Sequence, residues 1–512
     1  MINKDRSMMA ICTLENTKLL FNEFPCDHPL DSNIVIKISE LYSLMRDTDD
    51  DYEIFRYRAQ TDVIWRLLIE KAIKCLRYYD KREPFQVSEG KKTPKAYGID
   101  ELKKYYDSYT EFEHILYGSN KYYRDHVIHV FRTWLSGVEL LTKNGGGYLD
   151  SITIHQKGYT ADLNRVEKLS VWTLIALTHD LGYPLQKAKS IIDTTRSMVS
   201  TFITNPDISI DFSFRGVQNY MNDFIVRLMS SKMEKRGDDN KGNPIFVARL
   251  QPKYYFKFQK SLERNHHGIL STLIIYKLLT YFLESDYNIN EDYTFDKEEC
   301  RQFYIRREIL RAIASHTCDD VYQLYMTSFS FLLRICDDTQ EWGRKNISEL
   351  YVKSNQEYKI EDIDLSIDAN GKEHKCTIKE ELSFTDEETD VVVKLIERFR
   401  DQSIIYVTIF RDGQDTILRD FTFEKKITIK YNDIKITLTL QIAKDSASTL
   451  TGEVKYTSTG TVNEAFGKKF FGSLKCLDPK VGWEVFDTDG NNADIGRPLA
   501  WRKGTFAIEL SS

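Results

Sequence analysis

Up to about Gly343, apolar residues recur mostly at helical spacing; beyond that they alternate with polar ones. Val63, Leu67, Leu68, Ala72 and Leu76 predict a helix over 62–79. Val127, Phe131, Trp134, Val138 and Leu141 predict another over 123–141, ended by Gly145 to Gly147 and followed by a connection over 148–159. Similar stripes predict helices over 34–45, 166–178, 186–204, 214–235, 262–284, 306–315 and 321–336, with the polar stretch 236–243 (RGDDNKGN) as a surface loop. Residues 81–98, with Pro84, Gly90 and Pro94, read as a loop. After Trp342 the spacing predicts strands over 404–410, 427–431, 434–441 and 452–457, with Asn432-Asp433 as a hairpin turn. One helix is expected over 387–400, and short apolar runs close the chain at 483–486 and 505–510. The expectation is a mainly α protein: a helical extension over 1–98, a helical domain over 99–345 and a smaller α+β domain over 346–512.

Composition narrows the class. The chain has 512 residues, 41% of them hydrophobic and 29% charged, enough apolar material for a large core. A net charge of -6 without basic clustering gives no general attraction for duplex nucleic acid. The eight cysteines are scattered and form no C-x-x-C pair, which argues against a disulfide framework and against zinc-thiolate sites. No window is apolar enough for a transmembrane helix, and the N-terminus lacks a basic-apolar-small signal layout, so a cytoplasmic protein without membrane partners is expected.

The chemistry concentrates in the helical region. The apolar run Val171 to Leu177 delivers His179 and Asp180 onto a turn containing Gly182 and Pro184. An imidazole and a carboxylate at the end of a buried segment need a compensating partner. Eight of the ten histidines lie in this region, and six of them, at 126, 129, 179, 266, 267 and 316, are candidates. On an ideal helix His126 borders the core stripe, about 100° from Val127, whereas His129 falls about 200° away and should face solvent. His267, one turn before the small Ser271, and His316, in line with Ile309 and Ile313, are inward candidates. Asp337 ends the apolar helix; Asp338 is expected to be exposed or paired with Arg334.

Together His126, His179, Asp180, His267, His316 and Asp337 form an imidazole-carboxylate set suited to one or two divalent ions: Mn, Mg, Fe, Ni or Zn. Such a metal lowers the pKa of a coordinated water toward neutrality, and Asp180 would bridge two ions. Arg124, Lys187, Lys189, Arg264 and Arg334 lie close in sequence to these residues and could neutralise phosphate oxygens. No glycine-rich phosphate loop and no G-x-S-x-G elbow occurs.

The order His126, His179-Asp180, Asp337 resembles the H…HD…D frame of the HD superfamily of metal-dependent phosphohydrolases, over roughly residues 110 to 345. The resemblance implies an α-helical fold and hydrolysis of a phosphate ester or anhydride, most often in a nucleotide. His267 and His316 resemble the extra histidines of two-metal members and of the phosphodiesterase branch. The turn HDLGYP is similar to the HD-x-x-H-x-P turn of deoxynucleoside triphosphate triphosphohydrolases, except that Tyr183 replaces the histidine. Gly182-Tyr183-Pro184 is misplaced for the signature of cyclic di-nucleotide phosphodiesterases. The expectation is therefore hydrolysis of a deoxynucleoside triphosphate, with Asp180 and His266 in catalytic roles and Arg124, Tyr183, Lys187 and Arg264 at the substrate. Nucleotide depletion in antiviral defence and a homo-oligomeric state are further expectations. The alternatives are a phosphodiesterase for cyclic or oligonucleotide signals and a nucleotide-sensing module on a non-catalytic scaffold.

Overall fold

A computed structural model describes residues 28–47, 54–79, 98–119, 124–156, 159–202, 217–279, 293–318, 326–339, 359–369, 373–384, 398–399, 402, 405–406, 409, 420–431, 434–444, 449–459, 482–486 and 501–509. The loop expected over 81–98 lies outside these residues except for Gly98, and so does most of the helix expected over 387–400.

The helical part runs α1 His28–Asp47, α2 Ile54–Tyr78, α3 Ile99–Ser119, α4 Val127–Ser151, α5 Arg165–Thr178, α6 Tyr183–Val199, α7 Val217–Ser230, α8 Pro252–Glu263, α9 His267–Leu279, α10 Lys297–Ser315 and α11 Phe329–Thr339. The pattern located α5, α6 and α7 to within about five residues, caught only part of α2, α4 and α10, and marked neither α3 nor α8 as a separate helix. Helix α5 is its centre: every residue from Val166 to Thr178 is buried. A helix buried all round belongs in the middle of a bundle, and α2, α4 and α10 all pack against it.

Helix α2 is part of this core rather than of a separate extension. Trp65 is fully buried, stacks on Tyr106 with ring centroids 3.7 Å apart, and donates its indole N–H to the Leu177 carbonyl at 2.7 Å. The donor satisfies a carbonyl in the last turn of α5, one of the four that no helix can satisfy internally.

Several boundaries differ from the sequence expectation. Helix α4 continues through the glycine triplet to Ser151, with Gly145 and Gly146 at φ of 75° and 84°. The helix expected to reach residue 235 stops at Ser230, and an antiparallel hairpin follows, β3 Ser231–Asp238 with β4 Pro244–Leu250. A smaller hairpin joins β1 Ile154–Gln156 to β2 Tyr159–Ala161, so the helical region is not all-helical. The helix expected over 262–284 is two: Asn265, at φ 54°, turns the chain between α8 and α9. The expected range took in only the end of α8, with the buried Leu262, and so ran across the turn into α9.

The C-terminal part is a seven-stranded sheet of β5 Lys359–Ala369, β6 Glu373–Phe384, β7 Asp420–Tyr431, β8 Ile434–Lys444, β9 Thr449–Thr459, β10 Gly482–Phe486 and β11 Trp501–Glu509. Its order is β10-β11-β9-β8-β7-β6-β5, antiparallel throughout except for β6 and β7. Tyr431 pairs with Ile434, so β7 and β8 form the hairpin that Asn432-Asp433 suggested. A parallel pair requires a crossover. Within the chain joining β6 to β7, Gln402, Ile405, Tyr406 and Ile409 are helical, which corrects the strand expected over 404–410.

Two close backbone approaches set the packing around the turn after α5. A Cβ on Gly182 would strike the His267 carbonyl and come within 2.7 Å of the Ser271 amide; one on Gly268 would strike Thr317 and come within 2.7 Å of the Ile313 carbonyl. Gly182→Ala and Gly268→Ala are each expected to destabilise the fold by about 1–3 kcal/mol, as overpacking does. Gly147→Ala, with nothing within 4 Å of the added carbon, should stay within about 0.5 kcal/mol of wild type. Urea denaturation midpoints check the contrast.

Candidate metal centre

The cluster is built mainly from helix ends. Helices α5 and α10 both begin with a reciprocal capping box, Asn164 with Glu167 and Asp296 with Glu299. Both end on a histidine, His179 and His316, as the C-terminal cap. Asp180 follows His179, Asp337 lies in the last turn of α11, and His129 and His267 lie in the first turns of α4 and α9.

Each of three rings is held by its Nδ1. His179 donates to the Ala176 carbonyl at 2.8 Å and His316 to that of Ile313. Gln186 Oε1 accepts from both the backbone amide and Nδ1 of His267, at 2.8 and 2.7 Å. With the proton on Nδ1, Nε2 presents a lone pair. Those lone pairs converge on carboxylate oxygens. Asp180 Oδ1 is 3.2 Å from His267 Nε2 and 3.5 Å from His316 Nε2. Its other oxygen is 3.5 Å from His179 Nε2 and 3.6 Å from His129 Nε2. Asp337 Oδ1 is 3.0 Å from His129 Nε2 and 3.8 Å from His179 Nε2. His267 and His316 bring their Nε2 atoms to 3.1 Å of each other.

Acceptors facing acceptors repel unless something positive lies between them. His179 Nε2 is buried without a hydrogen-bond partner among the described residues. Four imidazole nitrogens around two carboxylates, without thiolate, match the donors that Mn, Fe, Ni or Zn take, and the carboxylates suit Mg. Two subsets draw together to within 4.8 Å, His129–His179–Asp337 and His179–Asp180–His316. The residues therefore fit one or two cations, with Asp180 facing both. Helix C-termini at His179, His316 and Asp337 add negative potential. Access is from one side: the Asp337 and His267 side chains are 22% and 19% exposed, whereas those of His129 and His179 are 1% and 0%.

The structure corrects the choice between the two histidines of α4. His129 faces the carboxylates and His126 does not. Val127 to Phe131 are all buried, so this helix start has no solvent face for His129 to occupy. His126 precedes the first helical residue, with φ -103°, and its side chain does not follow the helical projection. Its backbone amide and Nδ1 instead donate to Glu113 Oε1 at 3.0 and 3.2 Å. Glu113 is fully buried, paired with Arg58 at 2.7 Å, and Arg58 also pairs with Asp125 at 3.0 Å. Burial and the neighbouring Glu113 raise the Asp125 carboxyl. Sequence reasoning missed Glu113, Arg58 and Asp125. The one local signal was Asp125, placed as a helix-start acceptor for the Ile128 amide at 2.6 Å.

The remaining candidates divide. Tyr183 opens α6 with its ring 3.9 Å from that of His126 and 5.3 Å from that of His267, and Lys187 Nζ lies 5.0 Å over the Tyr183 ring. Burial lowers the Lys187 ammonium from its ordinary range. A cleft of about 780 Å³ runs along α6 from Gln186 and Lys187 to Thr201. His266 shares a hydrogen bond with Ser261 at 3.1 Å, turned toward α8 and not gathered around Asp180. Arg264 is exposed at the end of α8, Arg124 is half-buried, and the Lys189 side chain lies outside the described residues. Arg334 is committed to Asp338 at 3.1 Å and to the His316 carbonyl at 2.7 Å.

Comparison with known proteins finds no matching family model, no matching curated protein and no matching solved structure. The case for chemistry rests on the geometry. No helix among the described residues is long and apolar enough to cross a membrane.

Protonation of the metal-free cluster follows from the same contacts. Burial disfavours the His179 imidazolium, but Asp180 and Asp337 outweigh it and raise the ring to about 9. The histidines, working against burial, hold Asp180 and Asp337 well below the carboxylate range. A raised imidazole stabilises the fold fully below its unfolded value near 6.5 and ceases to do so as pH climbs through about 9. The metal-free protein should therefore lose stability between these pH values, and added Mn²⁺ should restore it. Metal competes with that proton, so uptake should release protons and strengthen with pH. Melting temperatures with chelator or Mn²⁺, and calorimetry in buffers of different ionisation enthalpy, read both effects.

Proposed function

We propose that this chain is a metal-dependent hydrolase of nucleotide phosphate bonds. The observation that carries the reading is the convergence of four imidazole Nε2 atoms on the oxygens of Asp180 and Asp337. A divalent ion held there supplies Lewis acidity and a coordinated water of lowered pKa.

The chain's own residues have separable tasks. Asp180 offers one oxygen to each imidazole pair and would help to hold a cation on either side. Ala176, Ile313 and Gln186 hold the proton on Nδ1 of His179, His316 and His267 and keep the ring faces fixed. Lys187, which lines the cleft and lies over the Tyr183 ring, is the cation offered to a phosphate oxygen. His126, held through Nδ1 by Glu113, is the proton-carrying group nearest to Tyr183 and takes the role first expected of His266.

The HD-like order of motifs supports deoxynucleoside triphosphates as substrates, with triphosphate and nucleoside as products. The pairing of His267 with His316 on one carboxylate oxygen favours a second reading, cleavage of a phosphodiester in a cyclic or oligonucleotide signal. Action in nucleotide depletion or signal removal, and assembly into homo-oligomers, belong to the same proposal.

Incubation with deoxynucleoside triphosphates and with cyclic nucleotides, in Mn²⁺ or Mg²⁺, separates these readings by product identity. His179→Ala and Asp180→Ala are expected to abolish turnover, falling at least about 1000-fold, while His126→Ala lowers it about 100-fold with metal content unchanged. Activity that survives His179→Ala with Asp180→Ala contradicts the assignment.

A further inference from the structure

The two acids ending α11 point different ways. Asp337 faces the imidazole cluster, whereas Asp338 is buried on the opposite side and accepts from Arg334 Nε at 3.1 Å and from the Tyr406 hydroxyl at 2.8 Å. Arg334 in turn donates through Nη1 to the main-chain carbonyl of His316 at 2.7 Å. One polar path thus links Tyr406, Asp338, Arg334 and the backbone of a residue whose ring faces Asp180.

Tyr406 comes from the other unit of the molecule. It lies in the crossover required by the parallel β6–β7 pair, fully buried, with its ring 4.6 Å from that of Phe423 on β7. Lys425 of the same strand sits 5.7 Å over the ring and donates to Gln402, one turn before Tyr406. Phe399, Gln402, Tyr406 and Ile409 are all buried, so this face of the crossover is anchored at several points. Burial and Asp338 keep the phenol protonated, as a donor must be.

We infer that Tyr406 is a positioning residue for the His267–His316 cation position, through which the C-terminal sheet unit completes the metal centre. The inference rests on the metal-centre reading. The His316 ring has its Nδ1 tied to Ile313 within its own helix, so the remaining freedom is that of the helix end itself. Arg334 restrains that end, and Asp338 can orient Arg334 only while its own carboxylate is held. Loss of the Tyr406 hydroxyl leaves Asp338 free to turn, and the His316 carbonyl loses a fixed donor. His129 and His179 are held by contacts other than Arg334, His179 by Ala176 and His129 by Asp337.

The test uses the full chain, freed of metal and titrated with Co²⁺ while its visible absorption is read. Wild type is expected to take up two ions, and His316→Ala to weaken one of them selectively. Tyr406→Phe should weaken that same ion about tenfold and leave the other unchanged, the usual scale for a group behind a ligand. Tyr148→Phe, which removes another buried hydroxyl, bonded to the Met326 carbonyl at 2.5 Å, should alter neither. Should Tyr406→Phe fail to fold, Asp338→Asn carries the same expectation. Wild-type affinities in Tyr406→Phe, equal weakening of both ions, or the same effect from Tyr148→Phe overturns the inference while leaving the metal centre standing. A wild-type chain that takes up no Co²⁺ overturns the metal-centre reading and this inference with it.

Discussion

One carboxylate organises the helical part of this protein. Asp180 sits on the turn after α5 with imidazole nitrogens on both of its oxygens, each within 3.6 Å. A buried carboxylate among lone pairs is costly, and the cost falls only when positive charge enters. A proton, chiefly on His179, meets that demand, and a divalent cation held by the same groups would meet it too. The rings of His179, His316 and His267 are kept in this orientation by Ala176, Ile313 and Gln186, which hold their Nδ1 atoms.

The surrounding fold serves this juxtaposition. The buried helix α5 sets His179 and Asp180 at its end, and Trp65 ties a carbonyl of its last turn to α2. Ser271 accepts from the Gly182 amide at 2.7 Å and donates to the His179 carbonyl at 2.7 Å, stitching the turn to α9. Gly182 and Gly268 let backbones approach where any side chain would separate His267 from Asp180 or α9 from α10. Beneath the cluster, Arg58, Glu113 and Asp125 form a second buried charge network that fixes His126 and, through it, the ring of Tyr183. Burying such a network is tolerable because its members satisfy one another.

Much of this was legible in the sequence, for physical reasons that also mark where legibility ends. The apolar stripe marked α5 almost to its ends but only the C-terminal part of α2 and α10, and the N-x-x-E and D-x-x-E starts of α5 and α10 went unread. The His179-Asp180 doublet, His267 and Asp337 emerged because each ends or begins an apolar run, and His316 because it continues the line of Ile309 and Ile313. The choice of His126 over His129 failed because an amphipathic stripe assumes a solvent face, and the start of α4 has none. Glu113 and Arg58 sit 55 positions apart and carry no local signature; only tertiary packing pairs them. The α8–α9 break and the β3–β4 hairpin were hidden for a related reason: a turn at Asn265 and a strand of mixed polarity leave the hydrophobic count unchanged. Tyr406 was read as part of a strand, since a short crossover helix against a sheet shows the same apolar density as an edge strand.

Anomalous diffraction from crystals of the chain grown with Mn²⁺ tests the two-cation centre most directly. The account predicts two peaks, one among His129, His179 and Asp337 and one between His267 and His316, with Asp180 contributing an oxygen to each. A peak beside His126, or no peak at Asp180, would contradict it.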